Sequence, residues 1–184
     1  HEIIPEPENL VYLAQYMESL QKSGQTDGIL GYMPDCDGDR GNIVFWNHKS
    51  QKAEILKAQE VFALCVMSEL SSIRYNEKLC NLPPQKLAVA VNDPTSMRID
   101  KIAEYFNAEV FRAEVGEANV VNLARKLRDE GYTVRILGEG SNGGNITHPA
   151  AVRDPLNTLF SLIKLLAMPD IFKLWCQVSN NQYV

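Results

Sequence analysis

Asp35-Cys36-Asp37-Gly38-Asp39-Arg40 sets three carboxylates at alternate positions within five residues. Two unit charges ~4 Å apart repel by about 1 kcal/mol in water and about 4 kcal/mol at an effective dielectric of 20, so such a cluster calls for a cation. Oxygen-only ligands suit a hard ion, and three carboxylates leave coordination positions for water or a phosphate oxygen, the habit of Mg²⁺. Asp35, Asp37 and Asp39 are therefore candidate metal ligands, and Arg40 beside them offers a planar donor fork. The plainer alternative is a solvated acidic turn with Arg40 bridged to a neighbouring Asp. A second unusual stretch, Gly138-Glu139-Gly140-Ser141-Asn142-Gly143-Gly144, has four glycines in seven residues. That density is too high for a helix or strand interior and suits a backbone approached closely by a ligand, with a flexible polar turn as the alternative.

Two familiar acidic loops can be set against the first motif. A calcium EF-hand needs Gly at its sixth position and Glu at its twelfth, where this chain has Arg40 and Trp46, so that reading fails. A strand followed by D-x-D also resembles the nucleophile loop of haloacid-dehalogenase-type phosphatases. That loop carries Thr or Val where Asp39 stands, and no later strand ends in the acidic pair of that family, so this reading ranks second.

The elements that must position these loops follow from hydrophobic spacing. Leu10, Leu13, Ala14, Met17 and Leu20 mark an amphipathic helix stopped by Lys22-Ser23-Gly24. Apolar runs at 29–33 and 43–46 read as strands on either side of the acidic loop, with a polar turn at 47–52 after them. Residues 59–70 are apolar on most of a helical circumference, the pattern of a buried helix. Strands at 87–91, 109–112 and 133–137 alternate with helices around Ile99–Phe106 and over 118–128. This βαβαβ order predicts an α/β fold with a mixed sheet flanked by helices. Asp154-Pro155 reads as a cap followed by proline at the first helical position of a last helix, which Met168-Pro169 ends, and the polar 177–184 segment reads as a frayed tail.

Composition bounds the rest. With 184 residues, 45% hydrophobic and 22% charged, the chain is of ordinary globular character and can build a real core. Its net charge of -5 gives no overall electropositive surface for a phosphate polymer, so nucleic acid is not an expected partner. There is no eighteen-residue apolar run and no basic-then-apolar leader, which predicts no membrane association and a cytoplasmic location. Cys36, Cys65, Cys80 and Cys176 have no C-x-x-C spacing and read as reduced thiols, and the three histidines are scattered.

The two loops in this order, together with the element order, resemble the α-D-phosphohexomutase family, which includes phosphomannomutase, phosphoglucomutase and phosphoglucosamine mutase. The 35–40 segment matches the family's D-G-D-x-D-R metal loop with Cys36 for the first glycine, and Pro5-Glu6-Pro7-Glu8-Asn9-Leu10 is similar to its P-E-N-L segment. Residues 138–144 resemble the sugar-recognition loop, which runs G-E-x-S-G-H in some branches and close to E-G-N-G-G in others. Arg153-Asp154 is similar to the pair that opens the family's next helix. Arg112-Ala113-Glu114-Val115-Gly116 departs from the family's Arg-Thr-x-Val-Gly, and the His closing one form of the sugar loop is replaced by Gly143 or Gly144. Neither the family's T-A-S-H-N-like phosphoserine loop nor its R-x-S-G-T-like phosphate grip occurs. The resemblance therefore implies a piece of a longer enzyme: the end of domain 2 over 1–49 and domain 3 over 50–184, partnered by the missing domains of the same polypeptide.

That family interconverts hexose 1- and 6-phosphates through a bisphosphorylated intermediate. The resemblance implies Mg²⁺ on Asp35, Asp37 and Asp39, a catalytic Arg40 directed at phosphate oxygens, and Gly138, Glu139 and Ser141 binding the hydroxyls of a hexose phosphate substrate. Glu139 is expected as the principal sugar contact and Ser141 as the secondary one. The isolated chain is expected to be inactive. A metal-dependent phosphatase and a non-catalytic sugar-phosphate or divalent-ion binding module are the alternatives.

Overall fold

The computed structural model describes residues 9–180. Most of the 5–10 proline segment and the last part of the polar tail lie outside them. Helix α1 (Val11–Lys22) packs Leu13, Ala14 and Met17 on a three-stranded antiparallel sheet, β1 (Leu30–Pro34), β2 (Gly41–Asn47) and β3 (Lys52–Ile55), in the order β1-β2-β3. Alternation along β2 serves two cores: Val44 faces the α1 cluster, while Ile43 belongs to the large core of the rest of the molecule. Strand β3 was not anticipated. Its alternating Lys52, Ala53, Glu54 and Ile55 carry too little apolar signal, and a division of the chain after residue 49 would cut through this sheet.

The second sheet has the order β5-β4-β6-β7, formed by β4 (Leu87–Asn92), β5 (Ala108–Ala113), β6 (Ile136–Glu139) and β7 (Gly144–Thr147). Strand β4 runs parallel to β5 and β6, and β7 returns antiparallel to β6, which makes the expected mixed α/β sheet. Helices α3 (Arg98–Tyr105) and α4 (Glu117–Asp129) are the two crossovers. Leu87, Val89 and Val91 point to one face, against α2 (Ala58–Leu79) and α3, while the small Ala88 and Ala90 point to the other and let α4 settle closely through Ala124. Helix α2 is buried between layers, as its nearly all-round apolar surface requires.

Helix α5 (Pro155–Ala167) starts as expected, the Asp154 carboxylate accepting from Leu156 N at 2.9 Å. Met168-Pro169 does not end the helical region: proline at the first position opens a further helix, α6 (Pro169–Val178), whose Ile171 is fully buried. No helix among the described residues is long and apolar enough to cross a membrane. None of the four cysteines forms a disulfide among the described residues; Cys65 and Cys176 are buried and Cys36 and Cys80 exposed.

One buried carboxylate ties the layers together. Glu69 on α2 accepts from Ser161 Oγ at 2.9 Å and Lys164 Nζ at 2.6 Å, both on α5, and from Arg135 Nε at 3.0 Å. Burial pushes the Glu69 carboxyl up, but Lys164, Arg135 and Ser161 together outweigh it, so its pKa lies below the usual glutamate value of 4.5. A carboxyl lowered in the folded state stabilises above its unfolded pKa and loses that contribution as pH falls through the folded value. Glu69→Gln is therefore expected to flatten the fall in stability below about pH 4.5, read by urea unfolding across pH; an unchanged slope would contradict it.

Candidate active site: an acidic loop and a glycine loop on one guanidinium

The acidic loop closes the β1–β2 hairpin, with Pro34 opposite Gly41 and Asp35 N donating to the Arg40 carbonyl at 3.1 Å. Asp35 is buried and turned inward: its Oδ1 accepts from Asp39 N at 3.1 Å and Arg40 N at 3.0 Å, and its Oδ2 from Arg40 Nε at 2.7 Å. Burial raises the Asp35 carboxyl, but the Arg40 backbone and side-chain hydrogen bonds and the Arg40 charge bring it below the ordinary aspartate value. Arg40 Nε also donates to Asp39 Oδ1 at 3.2 Å, so this edge of the guanidinium is directed into the loop, the plainer of the two roles foreseen for it.

One oxygen each from Asp35, Asp37 and Asp39 lies within 4.8 Å of the others. A carboxylate has about four lone-pair sites, and the hydrogen bonds on Asp35 and Asp39 do not exhaust them. The exposed Asp37 adds an oxygen on the solvent side. The donor set therefore fits a hard divalent cation.

The glycine loop sits beyond the carboxyl ends of β4 and β6. Its glycines are less uniform in role than their density suggested, since Gly138 lies inside β6 and Gly144 opens β7. Both are required by close approach: a Cβ on Gly138 would stand 2.3 Å from the Gly144 carbonyl oxygen, and one on Gly144 would stand 2.6 Å from Arg153 Nε. Gly143, at φ +78°, makes the turn itself.

Glu139 is 4% exposed and takes four donors. Its Oε1 accepts from Asn92 Nδ2 at 3.1 Å and Gly116 N at 2.8 Å, and its Oε2 from Asn142 Nδ2 at 3.0 Å and Arg153 Nη2 at 2.5 Å. Burial raises its pKa, and the Gly116 amide, Asn142, the Arg153 charge and Asn92 bring it below the usual glutamate value. The expected ranking of Glu139 over Ser141 as the sugar contact does not match their exposure. Glu139 holds the loop from within, whereas Ser141 is exposed, its Oγ accepting from Asn92 Nδ2 at 3.2 Å.

Arg153 joins the loops. Its Nη1 donates to Asp39 Oδ2 at 3.0 Å, its Nη2 to Glu139 Oε2, and its Nε lies 2.9 Å from Glu117 Oε2 at the start of α4. Three carboxylates from three distant segments thus share one guanidinium that is 12% exposed. Sequence reasoning placed Arg153 only as part of a helix-opening pair and missed Asn92, Thr95 and Gly116. Asn92 had a signal, a polar residue closing the apolar strand Leu-Ala-Val-Ala-Val. It is fully buried, its Oδ1 accepts from Thr95 Oγ1 at 2.5 Å, and Thr95 Oγ1 in turn accepts from Gly140 N at 2.9 Å.

Residues 61–173, more than half of the chain, match the phosphoglucomutase/phosphomannomutase family, alpha/beta/alpha domain III. Among solved structures, one described as a phosphomannomutase from Thermus thermophilus is 19% identical with a TM-score of 0.61, covering 97% of this chain and 35% of that one. A phosphoglucomutase/phosphomannomutase family protein from Burkholderia thailandensis is 17% identical with a TM-score of 0.64, covering 92% of this chain and 32% of that one. An N-acetylglucosamine-phosphate mutase in the apo-form, of the alpha-D-phosphohexomutase superfamily, is 13% identical with a TM-score of 0.56, covering 88% and 42%. The chain thus spans about a third of the length of the first two and somewhat more of the third. No curated protein matches.

Removing the guanidinium leaves Glu139 as a buried charge without its cation. Arg153→Ala is expected to cost about 3 kcal/mol in urea unfolding at neutral pH. A loss below about 1 kcal/mol would make the cluster no more than a surface ion pair. Gly144→Ala, whose new methyl displaces the same side chain, is expected to reproduce most of that loss with the arginine still present.

Proposed function

The chain belongs to the phosphoglucomutase/phosphomannomutase family, and from that premise we propose that it is the end of domain 2 and domain 3 of a longer phosphohexomutase. That enzyme would move a phosphoryl group between the 1- and 6-positions of a hexose through a bisphosphate intermediate. The observation that carries this reading is the convergence of the acidic loop and the glycine loop on Arg153. A metal-bearing turn and a hydroxyl-facing turn held against each other are what a site needs if it is to grip a sugar and a phosphoryl group together.

In this reading Asp35, Asp37 and Asp39 hold Mg²⁺, which when bound would polarise the phosphoryl group and stabilise its developing charge. Arg40 holds Asp35 and Asp39 in place through its Nε, and a planar guanidinium fork suits phosphate oxygens. Ser141, exposed at the turn, meets a sugar hydroxyl directly. Glu139 reaches the sugar by exchange: the half-exposed Asn142 amide leaves Oε2, and a sugar hydroxyl takes its place. Gly138 and Gly140 let the loop pack against Phe62 and Thr95, and Gly116 and Asn92 hold Oε1 in place throughout.

The phosphoryl carrier and the grip on the substrate's own phosphate belong, in this reading, to other domains of the polypeptide. Supplied with hexose 1-phosphate and a bisphosphate activator, the isolated chain is expected to show no mutase turnover; turnover above background would contradict its assignment as a fragment. Mg²⁺ titration followed by NMR should perturb residues 35–40 weakly, and Asp37→Ala should abolish that response; an unchanged response would move the metal elsewhere. In the full-length enzyme, Glu139→Gln is expected to lower kcat/KM about ten- to a hundred-fold, the loss of one charge-assisted hydrogen bond. Unchanged kinetics would leave the glycine loop without a role in sugar binding.

A further inference from the structure

At the end of the second sheet opposite the glycine loop, where β4 and β6 begin, lies a cavity of about 750 Å³. It falls within the range of roughly 300–1,000 Å³ typical of small-molecule sites. Arg128, Arg135 and Lys164 line it against a single carboxylate, Glu69, so it carries a local surplus of positive charge in a chain whose net charge is -5. His148 lines it as well, and its pKa is lowered by burial and by the Arg128 and Arg135 charges.

The two guanidiniums are fixed rather than loose. Arg128 Nε and Nη2 both donate to the Val134 carbonyl, at 3.3 and 2.7 Å. Arg135 donates through Nε to Glu69 and through Nη1 to the His148 carbonyl. Arg128 Nη1 and Arg135 Nη2 are left without an acceptor among the described residues. The Ser72 hydroxyl, on the same cavity wall, is buried and has no hydrogen-bond partner among the described residues. A buried hydroxyl normally finds a partner, so an unpaired one in the cavity that two fixed guanidiniums also line points to a polar ligand.

We propose that this cavity binds a phosphate monoester, independently of the mutase reading above. The phosphoryl dianion would lie between Arg128 and Arg135 and accept from Ser72, with the organic part beside Tyr75. Guanidinium forks match phosphate oxygens in geometry and charge, and two of them with a hydroxyl donor favour a dianion over a monoanion.

Inorganic phosphate is the first probe, titrated into the 184-residue chain with amide NMR as the readout and acetate as the monoanion control. Saturable shifts at residues 72, 128, 135 and 148, absent with acetate, are expected. Arg128→Gln is expected to weaken phosphate binding about tenfold, one charge-assisted hydrogen bond at 1.4 kcal/mol per decade. Ser72→Ala, which removes no structural hydrogen bond, is expected to weaken it less and keeps the test available if Arg128→Gln does not fold. No saturable shift, equal shifts with acetate, or shifts confined to residues 35–40 and 138–144 would overturn the proposal.

Discussion

The guanidinium of Arg153 is the point on which the site depends. Asp39, Glu117 and Glu139 come from a hairpin turn, a helix N-terminus and a strand end, and without a cation between them the buried Glu139 and the two partly exposed carboxylates would repel. With it, the first sheet's acidic turn is held to the second sheet's glycine turn. The cation needs room: Gly144 presents bare backbone to it, and any side chain there would occupy the volume of Arg153 Nε and Cζ. A glycine that read as room for a ligand is a seat for an arginine.

Around that cation the site is built from strand ends. Asn92 closes β4 and Glu139 closes β6, and in a parallel pair these ends point the same way, so adjacent strands deliver adjacent polar groups to one edge. Gly116, at φ +126°, turns its amide toward Glu139 from the junction of β5 and α4. On the other side, Gly41 brings β2 against the first turn of α5, a close approach in which a Cβ would crowd Tyr32 and meet Pro155 and Thr158. The apolar cores fix these ends, since Ile43 of the first sheet shares a cluster with α2 and with strands of the second.

Much of this was legible in the sequence. Strong apolar periodicity revealed α1 to α5, β1, β2, β4 and β5, and the acidic spacing marked the turn that brings three carboxylates together. Strand β3 was hidden because half of its four residues are charged, and β7 because it begins with glycine and asparagine. Helix α6 was hidden because proline reads as a stop as readily as a start. Glu139 was singled out in the sequence as a sugar contact, but its burial and its four donors are tertiary facts. Arg153 stood in the sequence only as part of a helix-opening pair, because its three partners lie in three segments that only folding brings together.

The account depends most directly on the two loops being one physical unit. A double-mutant cycle between Asp39→Asn and Glu139→Gln, measured by urea unfolding, tests this, since the two side chains are linked through Arg153. A coupling energy of about 1 kcal/mol is expected, vanishing when both changes are made on an Arg153→Ala background. Additive effects on the native background, within about 0.5 kcal/mol, would contradict the claim and leave the acidic and glycine loops as independent features of one fold.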